Sequence, residues 1–211
     1  MADISYAIVD VFSTTPYKGN PLAVVDNVAN SLTDTQMKLI ARQFNLSETT
    51  FFSPPSQPKA TYRLQSFLPD GKEVFGAGHN ILGVWWFLAH DGRLDFSQPK
   101  PADENGTGEF VFYQELGNEV SAINIWRKTG MQGRAEFTVL LRQAPPNSHS
   151  KHPDPSSLAT SLGLENRDIG LEVDGLTLPK IMSTSTTRHL IVPVASVAAL
   201  EKVVVQRDKL L

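Results

Sequence analysis

An α+β fold is predicted for this 211-residue chain on three observations. Strand-like segments outnumber helical ones and do not alternate with them as a parallel βαβ sheet requires. One amphipathic helix carries a full start signal at Thr33-Asp34-Thr35-Gln36. The run Ile81-Leu82-Gly83-Val84-Trp85-Trp86-Phe87-Leu88 has no polar stripe at any helical offset, which describes a helix enclosed on all sides. That run stops at Ala89-His90-Asp91-Gly92, short of the ~20 residues needed to cross a bilayer.

Each element follows from local pattern. Residues 4–12 are rich in Ile, Val, Tyr and Phe and read as a strand. Pro16, Gly19, Asn20 and Pro21 punctuate a loop, and a short strand follows over 22–25. In Thr33-x-x-Gln36 the hydroxyl and the amide satisfy free N–H groups reciprocally. Met37, Ile40, Ala41 and Phe44 then recur at helical spacing, so the helix ends near Asn45. Strands are expected over 49–53 and 60–67, then a turn at Pro69-Asp70-Gly71. The apolar helix is entered through Gly76-Ala77-Gly78-His79-Asn80.

Pro99, Pro101, Gly106 and Gly108 suggest a crossover, so two halves are expected, 1–115 and 116–211. Strands are predicted over 110–113, 120–126 and 135–142. Asp154-Pro155 gives an N-cap and first-turn proline, with Gly163 as the stop. Asp174-Gly175 signals a hairpin between strands at 169–173 and 176–181. Another strand is expected over 188–194, and Ser196 caps a last helix bearing Val197, Leu200 and Val204. The second half reaches Leu211 without a glycine-entered apolar helix of its own, so it is expected to be incomplete.

Composition narrows the chemistry. The net charge is −3, with no basic run interleaved with aromatics, so neither nucleic acid nor an anionic membrane is expected as a partner. The start of the chain has no basic segment leading into an apolar stretch, which argues against a secretory signal. The absence of cysteine removes disulfides, thiolate metal sites and thiol nucleophiles together. A cytoplasmic location fits that composition. His149, His152 and Asp154 form only a weak metal pattern, and no metal site is expected. Gly76-Ala77-Gly78 lacks the third glycine of a dinucleotide fingerprint, Ile81 standing in its place.

Two residues stand out as catalytic candidates. Glu48 lies between the capped helix and a Phe-containing strand; partial desolvation at such an entrance suits carboxyl groups to proton transfer near neutral pH. A solvated loop glutamate is the plainer alternative. His79 lies at the start of the apolar helix, where unpaired N–H groups and the positive dipole end favour a carboxylate or phosphate. A histidine capping its own helix is the alternative there. Asn20, Ser47 and Gly78 are candidate substrate-binding residues beside them.

These segments together resemble the PhzF-like phenazine-biosynthesis family, within the diaminopimelate-epimerase-like fold. The matching residues are Val9-Asp10-Val11-Phe12, Gly19-Asn20-Pro21-Leu22-Ala23-Val24-Val25, Ile40-Ala41, Asn45-Leu46-Ser47-Glu48-Thr49, Phe67-Leu68-Pro69, Glu73-Val74 and Gly78-His79. Gln65 stands where members often carry Arg, and Leu68 where they often carry Thr. From Gly92 onward the likeness is one of pattern. The resemblance implies two similar halves, each a curled mixed sheet around a central buried helix. It implies a cofactor-independent isomerase of a small carboxylic acid, as in dihydro-3-hydroxyanthranilate isomerisation, with Glu48 as acid/base and His79 at the substrate. Related epimerases use two cysteines, a route this chain lacks. A homodimer is a partner state the sequence allows. The competing reading is a catalytically impaired homologue that binds a small molecule or a partner chain.

Overall fold

The computed structural model describes residues 3–97, 108–130, 133–142, 148–149, 154–178, 181–184 and 190–209. It resolves into two compact units, Met1–Arg142 and Gln143–Leu211.

In the first unit, β1 (Tyr6–Val11) pairs antiparallel with β2 (Asn20–Asp26), Val11 facing Asn20. Next come α1 (Asp34–Phe44), β3 (Thr49–Ser53), β4 (Tyr62–Phe67), the two-residue β5 (Glu73–Val74) and α2 (Gly78–His90). The long strands β6 (Gly108–Leu116) and β7 (Glu119–Thr129) then lead to β8 (Ala135–Leu140). One mixed sheet runs β1-β2-β3-β4-β6-β7-β8, with β5 on β4. The β2–β3 and β4–β6 ladders are parallel and the others antiparallel. Helix α2 packs on β1 and β2 at one edge and on β8 at the other. A sheet can touch one helix with both edges only by curling round it.

The expected boundary after residue 115 therefore falls inside a β-hairpin. Residues 116–142, assigned from sequence to the second half, complete the first sheet instead. The β6–β7 ladder is continuous from Gly108↔Arg127 to Leu116↔Glu119. The Pro/Gly-rich signal at 99–106 lies outside the described residues.

Strand alternation divides the side chains between two faces. Val9, Val11, Leu22, Val24, Phe52 and Leu64 point to the concave side and bury Ile81, Val84, Trp85 and Leu88 of α2. Val25, Phe51 and Phe67 point to the convex side and cover Met37 and Ala41 of α1. The Thr33 capping box forms as expected, and α1 ends at Asn45 in the left-handed conformation (φ 51°). Gly83 lets α2 approach closely: a Cβ there would lie 2.6 Å from Leu22 Cδ2 and 2.7 Å from Val11 Cγ2.

A buried carboxylate fastens this unit at β6. Glu115 is 1% exposed and accepts from Ser56 N–H (2.7 Å), Ser56 Oγ–H (2.6 Å) and Gln57 N–H (2.9 Å). Arg63 Nε lies 3.7 Å away, an ion pair beyond hydrogen-bond reach. Burial pushes this carboxyl up, but the Ser56 and Gln57 donors and the Arg63 charge together hold it below the usual range. A depressed folded-state value contributes stability above the unfolded carboxylate range, lost as pH falls through the folded value. We expect the melting temperature to fall on acidification below the ordinary glutamate range. Glu115→Gln should start lower and show a flatter decline, which thermal melts across pH would reveal; an unchanged slope would remove this residue from the acid response.

The second unit has its own capped helix and small core. Asp154 caps α3 (Pro155–Ser161) by accepting from Ser156 N–H, with Pro155 in the first turn. Ala159, Leu164 and Ile169 form its small core. The hairpin β10 (Glu172–Val173) to β11 (Leu176–Thr177) turns through Asp174 (φ 50°) and Gly175 (φ 77°), as the Asp-Gly signal predicts. β12 (Met182–Thr184) pairs with β9 (Ser148–His149) and β13 (Leu190–Ile191). Of the strands expected over 169–173, 176–181 and 188–194, the described residues show these short pieces, and residues 179–180 and 188–189 lie outside the described residues. Pro193 has no N–H to extend β13, and Ile169 meets Val194 in an isolated bridge. Ser196 caps α4 (Val197–Glu201), yet the predicted apolar face stays exposed. Ala199 is the buried residue, while Val197, Leu200 and Val204 are more than half exposed.

Candidate active site

Glu48, His79 and Asn20 meet at one end of the concave face. Asn45 ends α1 on the convex side, and its left-handed turn sends the chain back toward β3. Alternation then puts residue 48 on the same face as Thr50 and Phe52, toward α2. His79 is the second residue of α2. Its Nδ1 lies 3.1 Å from Glu48 Oε2, with the two side chains 10% and 19% exposed respectively. Its Nε2 lies 3.1 Å from the backbone oxygen of Asn20. Asn80 Oδ1 is also 3.1 Å from Nδ1.

These contacts restrict the protons. A backbone carbonyl only accepts, so Nε2 must carry a hydrogen and donate to Asn20. Nδ1 faces two oxygens, Glu48 Oε2 and Asn80 Oδ1, each at 3.1 Å, so the imidazole is held between the Asn20 carbonyl and the Glu48 carboxyl.

The start of α2 adds an anion-binding element. Ala77 is the N-cap and makes no side-chain cap. The first intrahelical bond runs from Ile81 N–H to Ala77 O, at 3.2 Å. The N–H groups of Gly78, His79 and Asn80 therefore have no acceptor within the helix, and the dipole end favours negative charge.

Not every candidate sits as expected. Asn20 contributes its carbonyl, not its amide, to His79. Ser47 is exposed beside Glu48 and hydrogen-bonds to neither member of the pair among the described residues. Sequence reasoning did not assign four residues nearby to the site. Thr50 and Ser66 are buried and share a 2.8 Å hydroxyl contact; the two-residue step from Glu48 to Thr50 was the available signal. Asn80 is 2% exposed and holds His79 from its own turn. The Phe12 ring lies 6.2 Å from the imidazole. A cavity of about 710 Å³ lies between β1, α2 and β8 and is lined by Phe12 but by neither Glu48 nor His79.

Among the described residues no cluster of His, Cys, Asp or Glu could hold a metal, and no helix is long and apolar enough to cross a membrane. The side chains of His149 and His152 fall outside the described residues.

A curled mixed sheet enclosing an apolar helix defines an α+β protein of the diaminopimelate-epimerase-like class. Solved structures with this fold include a PhzF-family phenazine biosynthesis protein from Bacillus anthracis (TM-score 0.71, 25% identity, 98% of this chain and 61% of that one). The profile of the PhzC-PhzF family, described as phenazine biosynthesis-like protein, matches residues 9–210, and the chain belongs to that family. An uncharacterized isomerase from Mesorhizobium japonicum is 36% identical over 168 residues, 80% of this chain and 50% of its own length. A trans-2,3-dihydro-3-hydroxyanthranilate isomerase from Pseudomonas aeruginosa is 28% identical over 195 residues, 92% of this chain and 59% of its own. The chain thus spans about half to three-fifths of the length of these relatives.

Proposed function

We propose that this protein is an isomerase that moves a proton on a small carboxylic acid using its own side chains. The observation that carries the reading is the 3.1 Å pairing of Glu48 with His79 at the uncapped start of an enclosed helix. The substrate carboxylate lies against the free N–H groups of Gly78 and its neighbours. Glu48 takes a proton from an adjacent carbon and returns it to another carbon on the same face. His79, anchored by Asn20 and Asn80, supports the charge on Glu48 as it changes. Ser47, exposed at the rim, is available to the substrate. Two named dihydro-hydroxyanthranilate isomerases from other Pseudomonas species, 44% and 42% identical over 118 and 119 residues, support this reaction class.

The experiment is an absorbance and NMR assay of the purified chain with trans-2,3-dihydro-3-hydroxyanthranilate. Consumption of the acid without added metal or cofactor is expected. No consumption of this or other small unsaturated cyclic acids would overturn the reading.

A further inference from the structure

The loop joining β1 to β2 carries two bulky residues in a backbone region that favours glycine. Phe12 has φ 66° and Tyr17 has φ 63°. The two residues are 71% and 94% exposed. A left-handed phenylalanine is strained, and such strain persists only where the surroundings impose it. Here they do. The Val11↔Asn20 pair closes the loop at its base, and Tyr17 N–H donates to the Asp10 carboxylate. Gly19 packs against the neighbouring backbone so closely that a Cβ would lie 2.6 Å from Val11 O and 2.8 Å from Asp10 C. The loop is thus held so that Phe12 cannot fold away into the core.

The Phe12 ring has two neighbours of consequence. On one side is the His79 imidazole, 6.2 Å between ring centroids and tilted 41°. On the other is the open apolar space that Phe12 lines together with Val11, Leu82, Gly83 and Trp86. Gly83, which lines this space, stands one helical turn from His79 on α2. A strained, exposed aromatic beside the proton-transfer pair, facing room for a ligand, contributes nothing to the core that would account for it.

We infer that Phe12 is a specificity-determining residue: its ring is a flat wall against which a planar, unsaturated ring acid lies while Glu48 and His79 act on it. This inference rests on the isomerase reading and adds the shape of the substrate. Aromatic faces favour flat rings in offset or edge geometry over puckered saturated ones. Phe12 makes no bond to the reacting atoms, so its effect falls on which acids bind.

The test compares benzoate with cyclohexanecarboxylate by NMR titration of the purified chain, for the parent and for Phe12→Tyr, Phe12→Leu and Phe12→Asn. The parent and Phe12→Tyr should bind benzoate about three- to tenfold more tightly, the range an aromatic pair supplies. Phe12→Leu should bring the ratio close to one. Phe12→Asn tolerates the left-handed backbone and should lose the preference equally, which separates ring from strain. A preference that survives in Phe12→Leu and Phe12→Asn overturns the inference, as does a parent that binds the two acids equally or binds neither. The isomerase reading fails separately, through the turnover assay: Glu48-dependent turnover with an unchanged ratio removes only the role of Phe12.

Discussion

Glu48→Gln is expected to lower turnover of trans-2,3-dihydro-3-hydroxyanthranilate by about 10²–10⁴-fold, the usual worth of a positioned acid/base. The amide keeps the shape of the side chain and an oxygen for His79 Nδ1 at the observed 3.1 Å, so packing is preserved. What it loses is the ability to hold and release a proton. Benzoate binding should therefore persist in the variant, because the free N–H groups at the start of α2 are untouched. Glu48→Asp keeps the chemistry but withdraws the carboxyl by one methylene, and a displacement of ~1 Å at a reacting group costs up to about 10²-fold. It should fall between the parent and Glu48→Gln. Parental turnover in Glu48→Gln would remove Glu48 as the proton carrier, and loss of benzoate binding together with turnover would show that the variant had disturbed the site.

Trp85→Ala is expected to destabilise the first unit by about 3–5 kcal/mol, the range for removing a large buried aromatic. Trp85 is fully buried at the centre of α2. Its ring stacks on Phe112 at 6.0 Å and meets Tyr62 edge-on at 6.4 Å. Its Nε1–H donates to Gln114 Oε1 at 2.9 Å, and Gln114 in turn donates to Ser121 Oγ at 3.1 Å. Gln114 is 1% exposed, so the substitution strands an amide as well as opening a cavity. Trp85→Phe keeps most of the packing and isolates the hydrogen bond, worth about 1–3 kcal/mol when a buried partner is left unsatisfied. Set against a typical domain stability of ~5–15 kcal/mol, the alanine variant should unfold at much lower urea. A shift below about 1 kcal/mol would mean that the surroundings collapse onto the site far better than the packing suggests.

Much of the first unit was legible because its signals are local. The capping box at Thr33 needs only four residues, and the enclosed helix shows itself by the absence of a polar face. The pairing of Glu48 with His79 was legible only as proximity to two landmarks, a strand entrance and a helix start. Periodicity cannot say which sheet a strand joins, so β7 and β8 were assigned to the wrong half. Their place is fixed by the parallel β4–β6 ladder, which joins Tyr62 to Gln114 and leaves no trace in either segment alone. Phe12 was legible as part of a motif but not as a strained residue, because nothing in its side chain favours a positive φ. In the second unit the ladders among the described residues are only a few residues long, and part of each longer apolar run lies outside the described residues.

The left-handed Asn45 has a mechanical consequence. A helix on the outer side of the sheet hands its chain through this one turn, and within three residues the Glu48 carboxyl is on the inner side. Glu48 is therefore aimed by a short tether whose root lies in α1, remote from the imidazole it faces. Fraying of the final turn of α1 would swing the carboxyl without disturbing any residue that touches it. Substitutions in the last turn of α1, at the buried Ala41 or at Phe44 packed beside it, can thus shift the Glu48 carboxyl from behind.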